Sequence, residues 1–144
     1  MKRTNAVLPI LLVLTAAASC LLSADPPRGQ EKRDFATYEE MRAHLGGLFK
    51  DKKYAEAAAL LERALERFPD RALANTYNLA LARLRQGDAD RALAALEEGH
   101  RRGIFYGLWD FAADAWAPVK ALPRFQAFLE RNRLRIAEAQ KAAA

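Results

Sequence analysis

The stretch Tyr77–Ala92, with the sequence YNLALARLRQGDADRA, decides the fold class of this chain. Apolar residues recur in it every three or four positions, as on one face of a helix, on both sides of the pair Gly87–Asp88. Glycine readily takes the left-handed conformation that ends many helices. The small residues Ala80 and Ala92 would allow two antiparallel helices to approach closely. The stretch therefore predicts the middle of a helical hairpin.

The same pattern also lies 35 residues earlier, so the chain holds two copies of it. Pro69 stands where the second helix of the first copy is expected to end, because proline cannot continue a helix interior. Self-similarity at such a period is typical of stacked helical units. The identical pairs at this offset are Ala57/Ala92, Ala59/Ala94, Leu61/Leu96 and Glu62/Glu97.

Residues 38–135 resemble the tetratricopeptide repeat family, most closely over 77–96. The resemblance implies an all-α fold, an α-solenoid of two helical hairpins closed by a degenerate third hairpin or a capping helix. The first copy keeps the family's signature spacing at Tyr54, Ala57, Leu61, Ala64 and Pro69. The predicted helical repeat domain spans 35–144, with repeat one at about 38–71, repeat two at about 73–104 and the degenerate cap at 105–142.

The chain departs from the family pattern at several positions. Met41 and Thr76 stand where many copies have a bulky aromatic residue, and Gly99 stands where the first copy has alanine. The adjacent glycines Gly46 and Gly47 lower the helix propensity of the first copy. We therefore expect close helix packing at these two glycines.

The C-terminal third contains an unusually aromatic run, 103–111, and then a segment at 122–129 that begins a helix with proline in its first turn. Two copies are fewer than a stable stack usually needs. We therefore interpret this third as the cap, with its aromatic side chains filling the core. A weaker alternative is self-association through exposed aromatic side chains, namely Trp109, Phe111 or Trp116.

Residues 1–24 have the parts of a secretory signal peptide. Lys2 and Arg3 precede an uncharged apolar run, and small residues follow it. A membrane span needs about 20 apolar residues, and Pro9 interrupts this run. Export is the prediction, with residues 25–34 as a polar linker to the folded body.

Two processing routes remain open, beside the third outcome that the segment stays uncleaved as an anchor. Cleavage after Ala24 would release a periplasmic or secreted protein. The stretch 17–20, Ala-Ala-Ser-Cys, resembles a bacterial lipobox, in which Cys20 would be lipidated and would anchor the protein to a membrane. As the single cysteine of the chain, Cys20 cannot form an internal disulfide.

The sequence predicts no nucleic-acid partner. The formal charge of +5 falls to +3 when Lys2 and Arg3 leave with the signal peptide. The remaining cations are interspersed with acidic residues, whereas a nucleic-acid footprint needs them clustered on one face.

The predicted domain lacks serine and cysteine, the commonest catalytic nucleophiles. No serine follows Ser23 and no cysteine follows Cys20. His44 and His100 lie in no metal-ligand spacing; we expect His44 to be an ordinary helix residue and His100 to face solvent. No glycine-rich phosphate loop is present, so the sequence predicts no catalytic, metal or cofactor site.

The resemblance implies a protein-interaction module, because arrays of this family bind peptides on the concave face lined by the first helix of each hairpin. A protein or peptide is thus the predicted partner. The alternative is an accessory region of a larger or adjacently encoded hydrolase, suggested by the helical pattern that continues through 133–144. The residues that match the peptide-binding face are Arg42, Phe49, Lys50, Tyr77, Asn78, Leu81 and Arg85.

Overall fold

Five α-helices make up most of residues 34–143, the part of the chain that the structure, a computed structural model, describes. The predicted signal peptide at 1–24, with Cys20, lies outside the described residues, as does the 25–34 linker except for Asp34. Within them, no helix is both long and apolar enough to span a membrane. The helices are α1 (Tyr38–Lys50), α2 (Tyr54–Arg67), α3 (Ala72–Arg85), α4 (Ala89–Arg101) and α5 (Pro123–Ala142). The predicted all-α class is confirmed.

The first hairpin consists of α1 and α2. Thr37 begins α1 as its cap, because its side-chain oxygen accepts a hydrogen bond of 3.2 Å from the Glu40 N–H, one of the donors that a helix start leaves unpaired. The buried residues of α1, at three- and four-residue spacing, are Met41, Leu45 and Leu48. They share one core with the alanine- and leucine-rich face of α2.

α3 is the central helix and packs against both α2 and α4. The helices approach closely because Ala80 and Ala82 of α3 and Ala92 of α4 are small and fully buried. The buried Asn75 side chain also donates a hydrogen bond of 3.4 Å to the Ala64 carbonyl at the end of α2. This bond joins the second hairpin to the first.

The turns that follow α1 and α3, the first helices of the two hairpins, have the same backbone geometry. Gly87, after α3, has a φ of 81°, which confirms the left-handed role predicted for it. Lys52, the equivalent residue after α1, takes the same conformation with a φ of 59° although it is not glycine. In both turns the following N–H donates back to the last helical turn, Lys53 to the Leu48 carbonyl over 2.8 Å and Asp88 to the Arg83 carbonyl over 3.0 Å.

The region after α4 supplies a capping helix and not a third hairpin. Two short 3-10 turns, at Leu108–Phe111 and Asp114–Trp116, lead into α5. The buried aromatic residues that fill the space between this segment, α3 and α5 are Tyr106, Phe111, Trp116, Phe125 and Phe128. The core-filling interpretation is confirmed for these residues. Self-association through Phe111 or Trp116 is wrong because both side chains are buried; the Trp109 side chain lies outside what the structure describes.

Two expectations about single residues are wrong. Gly46 and Gly47 are exposed, and a Cβ atom built on either would meet no atom within 4 Å, so close packing does not explain them. His100 is only 8% exposed and packs edge-on against Phe105 and Phe128. The C-terminal aromatic segment covers a position that α4 on its own would expose to solvent.

Candidate protein-interaction surface

α1 and α3 each leave one stripe wholly or partly exposed, and the residues of the two stripes are equivalent at the repeat offset. Ala43, Gly46 and Lys50 of α1 are exposed. On α3, the equivalent residues are Asn78, Leu81 and Arg85, of which the first two are half-buried and the third is exposed. Because the hairpins are copies of one unit, equivalent positions face the same side of the stack. We call these six residues the first-helix face.

The first-helix face carries positive charge at the ends of both helices. Lys50 and Arg85 lie in the last turns of α1 and α3, where the helix dipole favours a cation. Arg42, one turn before Gly46, is also exposed and adds a third cation at the margin. Leu81 and the amide of Asn78 supply an apolar contact and a hydrogen-bonding group between them. The surface can therefore contact apolar, polar and acidic groups of one ligand.

The structure separates two of the seven predicted residues from this surface. Phe49 packs edge-on against Tyr54 at the start of α2, with ring centroids 5.9 Å apart. It therefore closes the end of the first hairpin. Tyr77 donates a hydrogen bond of 2.7 Å to the Asp110 carbonyl and accepts one of 3.0 Å from the Trp116 indole N–H. Its hydroxyl is thus engaged within the chain.

The Tyr77 contacts hold residues 102–122, which connect α4 to α5 and are called the C-terminal segment below, against α3. The Tyr77 ring lies 6.0 Å from that of Phe111 and 5.5 Å from that of Trp116. Burial raises the pKa of Tyr77 above its usual value, so the hydroxyl stays protonated and can donate to the Asp110 carbonyl. The C-terminal segment occupies the side of α3 on which a further repeat would pack. The first-helix face therefore ends at α3.

α5 contacts α4 through Glu97, the residue equivalent to Glu62, through which α2 contacts α3. Glu62 of α2 pairs with Arg83 of α3 at 2.6 Å. Its equivalent on α4, Glu97, receives the Arg124 guanidinium of α5 in two bonds of 3.2 and 2.7 Å. Hydrogen bonding to Arg124 holds the pKa of Glu97 below its usual value. α5 thereby contacts α4 at the position equivalent to the one that α3 contacts on α2.

A buried amide, which sequence reasoning missed, completes the cap. Asn132 of α5 is fully buried and pairs with both backbone groups of Tyr106. Its oxygen accepts from the Tyr106 N–H over 3.0 Å, and its NH2 donates to the Tyr106 carbonyl over 2.7 Å. The one signal in the sequence was a polar residue on the apolar stripe that Phe125 and Phe128 begin.

A groove of about 640 Å³ lies on the opposite face of α3, between α2 and α4. Leu65, Thr76 and Leu79 contribute to its lining. Its rim is charged but internally compensated, since Glu62 pairs with Arg83, and Glu98 pairs with Arg101 and Arg102. The groove is therefore less suited to a charged partner than the first-helix face.

Residues 34–143 contain no group of three or more His, Cys, Asp or Glu side chains placed to hold a metal ion. The two histidines of this region, His44 and His100, each pack against aromatic rings. His44 stacks at 5.3 Å on the ring of Phe35, and His100 lies among aromatic rings in the C-terminal cap.

The comparisons with known proteins agree with this geometry. A family model described as a tetratricopeptide repeat matches residues 48–102, from the end of α1 to the end of α4. No curated protein and no solved structure matches the chain. Repeats of this family are generally non-catalytic modules that mediate protein–protein interaction. The paired hairpins, the repeated helix ends and the match over residues 48–102 together support a tetratricopeptide repeat protein.

Proposed function

We propose that this chain is an exported, non-catalytic module that binds a peptide or protein partner on the first-helix face. The observation that carries the proposal is the wholly or partly exposed stripe that recurs on α1 and α3 at the repeat offset, with a cation at the end of each helix. Side chains on a helix that no other part of the fold covers are available to a partner.

An extended segment with acidic groups would fit this surface. Lys50 and Arg85 can each pair with a carboxylate, and Arg85 can do so through two parallel hydrogen bonds. The Asn78 amide, with one acceptor and two donor sites, can hydrogen-bond a peptide backbone. Leu81 contributes an apolar contact, and such contacts exclude water from the centre of an interface.

Replacing Arg42 and Arg85 together by glutamate is expected to abolish partner recovery. The change reverses two charges on the surface, and like charges across an interface oppose binding. The measurement is affinity capture of the exported protein from a native envelope fraction, with the recovered proteins quantified by mass spectrometry.

The control is Arg63→Glu/Arg91→Glu, which makes the same change in net charge at exposed residues of α2 and α4. A specific partner should be retained by this control and lost by Arg42→Glu/Arg85→Glu. Equal recovery by both variants, or equal loss, would place the binding surface elsewhere.

Export and anchoring are tested separately from binding. We expect the chain to be found in an envelope or secreted fraction, because Lys2, Arg3 and the apolar run that follows form a signal-peptide pattern. Metabolic labelling with a radioactive fatty acid, compared between the parent chain and Cys20→Ala, distinguishes the two processing routes. Label that depends on Cys20 supports the lipoprotein, no label supports release, and a cytoplasmic location for the chain would refute export.

A further inference from the structure

We propose that the cleft between the end of α4 and the C-terminal half of α5 binds an oxyanion, either a phosphate or a carboxylate group of a ligand. This cleft has a volume of about 580 Å³ and is lined by three arginines, Arg101, Arg131 and Arg135. The cleft shares no residue with the first-helix face, so this proposal can be tested independently of partner binding on that face.

The arginines converge on the cleft from two helices. Arg131 and Arg135 are four residues apart on α5, and residues at this spacing lie on the same side of a helix. Arg101 comes from the last turn of α4. A guanidinium is a planar fork that binds a carboxylate or phosphate through two hydrogen bonds. Because Arg101 is already paired with Glu98, Arg131 and Arg135 are the two groups best placed to bind an oxyanion.

The acidic residues of the cleft compensate this charge only in part. Glu97 and Glu138 also line the cleft. However, Glu97 already accepts two hydrogen bonds from Arg124, and its contact with Arg131 is longer, at 3.4 Å. Among residues 34–143, Arg135 forms no ion pair within 4 Å. A ligand oxyanion could therefore engage Arg131 and Arg135 without breaking the Glu97–Arg124 pair.

His100 is a second, independent indication of a ligand site. It lines the cleft and is more than nine-tenths buried. Its Nδ1 makes no hydrogen bond of normal geometry in the described part of the chain, although a contact of the imidazole with the Ile104 backbone acts to raise its pKa. Buried polar atoms without a partner are rare and call for an explanation such as a bound group. Burial, together with the charges of Arg135 and Arg131, lowers the pKa of His100, which keeps the imidazole neutral near pH 7.

The cleft also has an apolar margin. Leu134, between the two arginines in sequence, lines it and is 48% exposed. An exposed leucine beside a cationic site favours an oxyanion that is attached to an apolar group over a free inorganic ion. The inferred ligand is thus an acidic group on a larger organic molecule or side chain.

The test is a titration of the full chain with inorganic phosphate and, separately, with acetate, at constant ionic strength maintained with chloride. The readouts are the NMR shifts of the arginine side-chain N–H groups and of the His100 imidazole. We expect saturable shifts with at least one of the two probes. Arg131→Gln/Arg135→Gln should weaken the affinity about tenfold or more, because it removes two charge-assisted partners.

The matched control is Arg63→Gln/Arg91→Gln, which removes two charges from exposed positions of α2 and α4 and should leave the affinity unchanged. A response to phosphate alone would assign the acidic group as a phosphate, and a response to acetate alone as a carboxylate. The proposal is overturned if neither probe gives saturable shifts. It is equally overturned if the control weakens binding as much as the cleft variant, since the effect would then be one of net charge.

Discussion

Trp116→Ala is expected to lower the free energy of unfolding by about 3–5 kcal/mol, the usual range for removing a fully buried aromatic side chain. The Trp116 ring is fully buried and stacks at 5.8 Å on Phe125 of α5, with an angle of 9° between the planes. It also contacts Phe111 at 5.1 Å and donates a hydrogen bond to Tyr77 of α3. Its removal would leave a cavity between the C-terminal segment, α3 and α5.

The measurement is urea-induced unfolding followed by far-UV circular dichroism. The control is Leu73→Ala on α3, where the side chain is 50% exposed. This change should alter the free energy of unfolding by no more than about 0.5 kcal/mol, as surface substitutions usually do. A cost below about 1 kcal/mol for Trp116→Ala would mean that the cap contributes little to the stability of the repeats.

Gly99→Ala is expected to destabilise the protein by about 2–3 kcal/mol, although alanine is the better helix former. A Cβ atom at Gly99 would lie 2.3 Å from the Tyr106 hydroxyl oxygen and 2.9 Å from Thr76 Cγ2. Tyr106 cannot easily yield, because it is fully buried against Phe111 and Phe128. The new methyl group would therefore push the C-terminal segment away from α4.

A double-mutant cycle with Tyr106→Phe tests this cause. The Tyr106 hydroxyl is buried and makes no hydrogen bond of normal geometry within residues 34–143, so its removal should cost little by itself. It should recover part of the Gly99→Ala loss, because it removes the nearer of the two clashes. Additive effects of the two changes would show that the hydroxyl contact is not the cause.

Gly46→Ala is the matched control, since it makes the same substitution in the interior of a helix. A Cβ atom at Gly46 meets no atom within 4 Å. We expect stabilisation of about 0.5–1 kcal/mol, the helix-propensity difference between alanine and glycine. Destabilisation at both glycines would indicate a common backbone effect and not a clash specific to Gly99.

These glycines show where sequence reasoning succeeded and where it failed. Gly87 was correctly assigned because the left-handed turn that ends α3 depends on neighbouring residues alone. The expectation of close packing was attached to Gly46 and Gly47, whereas the close approach occurs at Gly99. A helical glycine has the same local pattern in both environments, and only the position of Tyr106 distinguishes them.

The candidate binding surface was predictable to a similar extent. Lys50, Asn78, Leu81 and Arg85 lie on the wholly or partly exposed stripe because helical periodicity fixes which residues share a face. The engagement of Tyr77 was not predictable, because its partners Asp110 and Trp116 lie 33 and 39 residues further along the chain. No periodicity in the sequence relates residues that far apart outside the repeat.

The amino-acid sequence predicts the helical hairpin centred on Tyr77–Ala92, its earlier copy and the turns that end the helices. These features depend on contacts between residues a few positions apart, so spacing and residue type suffice to predict them. How the stack is closed depends on tertiary contacts between residues far apart in the sequence. The Asn132 amide pairs with the Tyr106 backbone 26 residues away, and Arg124 reaches Glu97 across 27. Such contacts depend on the path of the irregular segment between α4 and α5, which local propensities do not specify.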